Sequence, residues 1–112
     1  MGWFNNSKPA QVKQSNPADF YIPALAAGVA INLSMFAIVP QLRLYMPLNW
    51  VEVYNPSIAT LTVRIESAGG EMFRVEAGSS RVIRQAFNNL IITNISLNAL
   101  AAATAILTLQ RV

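Results

Sequence analysis

No charged residue interrupts the chain between Asp19 and Arg43, and the run from Phe20 to Leu42 is long enough to cross a bilayer as a helix, which takes about 20 apolar residues. Its internal pattern points elsewhere. Val29, Ile31, Leu33 and Met35 are large and apolar, whereas Ala30, Asn32 and Ser34 between them are small or polar. A period of two is the mark of a strand with one buried face. Folded as a helix, the run would carry Asn32 and Ser34 to mid-bilayer and set Pro23 in its first turns. The strand is favoured, and a transmembrane helix over residues 20–39 stands as its alternative.

The chain downstream repeats this pattern in short pieces. Leu42, Leu44 and Met46 alternate with Arg43 and Tyr45; Val51 and Val53 alternate with Glu52 and Tyr54. Asn55-Pro56-Ser57 is a turn by composition. Leu61, Val63 and Ile65 then face one way, with Thr62, Arg64 and Glu66 opposite. Ala68-Gly69-Gly70 and Ala77-Gly78-Ser79-Ser80 bracket a strand at Phe73 and Val75. Val82-Ile83, Leu90 to Thr93 and Ile106 to Gln110 supply the rest, and Leu97 to Ala105 reads as strand or loop rather than the helix its alanines would favour. Gly28 is the expected turn residue before the strand at Val29. About eight or nine short strands separated by turns predict an all-β fold, an antiparallel β-sandwich or jelly-roll-like barrel.

Residues 1–19 are expected to form an extended arm ahead of a single domain over 20–112. They are polar, broken by Pro9 and Pro17, and lack apolar periodicity. Trp3 and Phe4 at the tip are candidate anchors in a neighbouring subunit or a lipid interface. Position 6 is Asn6, where a myristoylation signal has Ser or Thr, and the apolar run starts too late for a secretory signal.

The order of elements suggests an internal duplication, 20–66 against 73–112. Phe20 to Ile31 and Phe73 to Ile83 share the layout strand, small residues, glycine, strand. Trp50 to Ser57 and Asn89 to Ser96 are both apolar strands ending in Asn-x-Ser. The first copy would carry an insertion near Met35 to Pro47. The layout from Trp50 to Val112 runs through Arg81-Val82-Ile83-Arg84 and Thr93-Asn94-Ile95-Ser96 to an Ala/Thr-rich last strand. It resembles the small β-sandwich proteins of bacterial and archaeal virus particles, such as minor capsid, decoration and spike-base subunits. That resemblance implies a structural role, a virion location, and a major capsid protein or further copies as partners.

Chemistry has little to work with. The chain has neither His nor Cys, which removes the usual nucleophile–base pairs, disulfides and zinc sites. Asp19, Glu52, Glu66, Glu71 and Glu76 are scattered, and no glycine forms a phosphate loop. No enzyme, cofactor, metal or small-molecule substrate is expected. The arginines alternate with Glu66, Glu71 and Glu76, which disfavours nucleic acid, although a soluble carbohydrate- or nucleic-acid-binding module using Trp50 and Tyr54 is a further alternative. Only 12% of residues are charged and 54% are hydrophobic, so much of the surface is expected to be covered by something else. The candidate interface residues are Trp3, Phe4, Phe20, Tyr21, Ile22, Asn32, Ser34, Phe36, Asn94, Leu97 and Leu100. They fall mainly in the uncharged regions 20–39 and 94–105.

Overall fold

The computed structural model describes residues 14–66 and 70–112; Trp3, Phe4 and the other residues of 1–13 lie outside it, as do Ala68 and Gly69 of the expected Ala68-Gly69-Gly70 turn. The strands are β1 (Ala18–Tyr21), β2 (Ala30–Ser34), β3 (Trp50–Asn55), β4 (Leu61–Ile65), β5 (Met72–Val75), β6 (Ser79–Ile83), β7 (Asn89–Asn94) and β8 (Ile106–Gln110). They form two four-stranded sheets, β1-β8-β3-β6 and β2-β7-β4-β5. Every neighbouring pair is antiparallel. The protein is an all-β sandwich.

Alternation builds the core. Val51 and Val53, Leu61, Val63 and Ile65, Leu90 and Ile92, and Leu107 and Leu109 point inward and are no more than 2% exposed. Each such side chain contributes about 1.5–3 kcal/mol through removal from water. In the opening stretch Ile31, Leu33 and Met35 face in, with Leu33 and Met35 buried, while Ala30 and Asn32 are exposed. Val29 breaks the alternation because it closes the turn made by Gly28, whose φ is +77°. Residues 20–39 are thus divided among β1, a turn, β2 and a four-residue helix, α1 (Met35–Ile38). No helix among the described residues is long and apolar enough to cross a membrane.

Two expectations need correction. Leu42 to Met46 is not a strand: a 3₁₀ helix spans Pro40–Tyr45, with Pro40 in its first turn where a missing N–H costs nothing. Leu42 is buried and Leu44 almost fully exposed, so the apparent alternation did not correspond to two faces of a strand. The second concerns the arm. Ser15 is buried, its N–H donates to Arg111 O at 2.9 Å, and its Oγ accepts from Arg111 N at 2.8 Å. Ser15 to Asp19 therefore run alongside β8 as part of the sandwich.

The two halves of the chain occupy equivalent places. Exchanging β1, β2, β3 and β4 for β5, β6, β7 and β8 converts the order of one sheet into that of the other, read backwards. Register follows: Val51 pairs with Ile83, and Leu90 pairs with Leu33. Gly28 and Gly78 hold φ of +77° and +73°, each followed by a residue whose N–H closes the turn, Val29 onto Ala26 O and Ser79 onto Glu76 O. The halves differ chiefly where α1 and the 3₁₀ helix separate β2 from β3.

Candidate functional site

Strand directions gather four connections at one end of the sandwich: 22–29, 56–60, 76–78 and 95–105. Glu76 is their only charged residue. Two of these connections are built alike, and the Asn-x-Ser sequence is the reason. Asn55 and Asn94 are fully buried at the ends of β3 and β7. Asn55 Oδ1 accepts from Ser57 N at 3.2 Å and Ser57 Oγ at 2.6 Å, and its Nδ2 donates to Ala59 O at 2.8 Å. Asn94 Oδ1 accepts from Ser96 N at 3.0 Å and Ser96 Oγ at 2.7 Å, and its Nδ2 donates to Asn98 O at 2.7 Å. Each serine hydroxyl also accepts from the backbone N–H two residues on, at 3.1 Å from Ala59 and 3.2 Å from Asn98. The asparagines thus satisfy backbone groups that the tight loops would leave unpaired.

A loop held in this way projects the residue at its tip. In both loops that residue is aliphatic: Ile58 is 71% exposed and Leu97 is 97% exposed. Asn98 Nδ2 donates to Ile58 O at 3.4 Å and Ile95 N to Thr60 O at 3.0 Å, so the loops stand side by side. With exposed Val29 and Ile95 they make an apolar end. Charge collects at the opposite end instead, in Arg43, Glu66, Glu71, Arg84 and Arg111.

The outer face of the β1-β8-β3-β6 sheet is the second surface. Register aligns Tyr21, Ile106, Tyr54 and Ser80 across the strands, and beside them Asp19, Thr108, Glu52 and Val82. Trp50 and Gln110 follow, half-buried. Tyr21 and Tyr54 are both more than half exposed. Thr108 Oγ1 donates to Asp19 Oδ1 at 2.8 Å. At the edge of this sheet the Arg81 guanidinium lies 5.0 Å from the centre of the Phe73 ring and donates to Arg74 O at 3.0 Å, closing the gap to the other sheet.

The expected interface residues separate into groups. Ile22, Asn94 and Leu100 are buried in the chain's own core and have no surface to offer; Ile22 N bonds Ala105 O, and Leu25 and Leu100 form a bridge. Leu97 lies on the apolar end. Tyr21 lies on the sheet face, whereas Phe20 points inward, packed against the core. Asn32, Ser34 and Phe36 lie together along β2 and α1, where Asn32 Nδ2 donates to Glu66 Oε2 at 3.1 Å. Ile58 was missed, although its place after Asn-x-Ser matches that of Leu97. Among the described residues no three His, Cys, Asp or Glu side chains gather as a metal site. Comparison with protein-family models, curated proteins and solved structures finds no match.

Proposed function

We propose that this chain is a structural subunit of a virus particle, held to further copies of itself through the apolar end of its sandwich. The observation that carries the reading is the pair of locked loops. Two buried asparagines fix Ile58 and Leu97, side by side and exposed, among four connections whose only charged residue is Glu76. Pre-ordered aliphatic tips lose little conformational entropy on docking, which favours association. A sandwich poor in charge, built from a chain with neither His nor Cys, fits a building block better than an enzyme.

Mass photometry of the purified chain, beside Ile58→Asp and Leu97→Asp, tests the assembly. The wild-type chain is expected as an oligomer. Each variant is expected as a monomer with an unchanged circular dichroism spectrum, since burying an unpaired carboxylate weakens a contact by roughly a hundredfold or more. A monomeric wild-type chain at micromolar concentration, or variants that keep its mass, overturns the reading. Mass spectrometry of purified particles tests the location, and absence of the chain's peptides there overturns it.

A further inference from the structure

We infer that the outer face of the β1-β8-β3-β6 sheet binds a neutral glycan chain. The inference goes beyond the assembly role and uses different residues. Tyr21 and Tyr54 stand on either side of the half-buried Ile106, two strand spacings or about 10 Å apart. Both are exposed, and an exposed tyrosine offers a rigid apolar ring with a polar tip. In the adjoining row Asp19 and Glu52 flank Thr108 in the same manner. Trp50 and Gln110 extend the face towards the end of β8. Aromatic rings and acceptors for hydroxyl groups therefore run in parallel rows across one face of the sheet.

The charges on the face select among ligands. Among the described residues the only ion pair is Arg74–Glu76, so neither Asp19 nor Glu52 has a cationic partner among them. A nucleic acid or an anionic lipid surface would meet these carboxylates with like charge. A second copy docked about a two-fold axis would bring its own Asp19 and Glu52 to the same face and desolvate unpaired carboxylates. The opposite sheet offers no matching positive surface, because Arg74 is paired with Glu76 and Arg64 is followed two residues on by Glu66. A neutral polyhydroxylated chain avoids these costs. Its hydroxyls donate to the carboxylate oxygens of Asp19 and Glu52, while the C–H faces of its rings lie against Tyr21 and Tyr54.

The test is an NMR titration of the full chain with four neutral probes: maltohexaose, cellohexaose, xylohexaose and chitohexaose. At least one is expected to shift the backbone amides of β1, β8 and β3 and to leave those of β4 and β5 unmoved. Tyr21→Ala and Tyr54→Ala should each weaken that binding about tenfold or more without moving the thermal midpoint. Asp19→Asn and Glu52→Gln should weaken it less. The inference is overturned if no probe moves these amides at millimolar concentration, or if binding is indifferent to both tyrosines. It is also overturned if Tyr54→Ala dissolves an oligomer, which assigns the face to a second copy. Loss of assembly in the Ile58→Asp and Leu97→Asp variants leaves it untouched, so the two readings fail separately.

Discussion

Asn55 and Asn94 pin the two sheets to each other from opposite sides. Asn55, on the β1-β8-β3-β6 sheet, donates through Nδ2 to Val75 O at 3.4 Å, at the end of an edge strand of the other sheet. Asn94, on that other sheet, donates to Leu25 O at 3.0 Å, in the connection that leaves β1. One amide therefore organises its own loop and bonds across the sandwich at once. Such a buried network is worth most when every member is satisfied.

Replacing either asparagine by alanine should cost about 2–4 kcal/mol, because several backbone groups and a serine hydroxyl lose a partner together. Urea denaturation measures it. A cost below roughly 0.5 kcal/mol in both variants would show the loops to be held by something else.

Gly28→Ala and Gly78→Ala isolate a conformational effect. A Cβ at either position meets nothing within 4 Å, but both residues hold φ near +75° (+77° and +73°). The expected loss is about 1–2 kcal/mol in each, and smaller for asparagine at the same sites. Crowding is absent, so serine should cost as much as alanine; a much larger serine penalty in the same denaturation series contradicts this account.

Leu33 and Asn32 are neighbours on opposite faces of β2. Leu33→Asp buries a charge beside core residues and is expected to abolish folding. Asn32→Asp leaves the side chain exposed and sets it against Glu66, at a cost of a few tenths of a kcal/mol, on the order of an exposed ion pair. Circular dichroism of the two proteins separates them, and equal damage would mean that β2 does not present alternate faces.

Truncation locates the edge of the domain. A chain beginning at Ser15 should keep full stability, whereas one beginning at Asp19 should lose about 1–3 kcal/mol with the Ser15–Arg111 bonds and the Ala18–Leu109 pair. Thermal unfolding compares them; identical midpoints would return residues 15–18 to the arm.

Strands with a buried face were legible because their side chains must alternate: Leu61 to Ile65 and Val51 to Val53 could hardly be read otherwise. Asn55-Pro56-Ser57 was legible as a turn, but the role of the two Asn-x-Ser loops in locking the sandwich was not. Whether an asparagine is buried depends on carbonyls such as Leu25 O, far away in sequence. Leu42 to Tyr45 misled because the alternating spelling masks a period of three: in the 3₁₀ helix Leu42 is buried and Tyr45 half-buried, while Leu44 is exposed. The apolar end was half visible, in Leu97 but not Ile58. Uncharged composition marked Ile22 and Leu100 as surface, although their large aliphatic side chains are what this small core consumes. The Tyr21–Tyr54 row needed the pairing of the first and third strands with the last, which no local pattern discloses.

That pairing governs how the molecule can be made. β8 lies between β1 and β3, yet it comes last of the eight described strands in chain order. Until Gln110 has emerged, β1 has no partner, and one side of β3 and one wall of the core stand open to water. The other sheet, complete once β7 is out, exposes its inward leucines and valines for the same interval. The sandwich therefore cannot close before its last described strand is available, and a nascent chain of this topology leaves apolar surface open to a chaperone or another nascent copy until then.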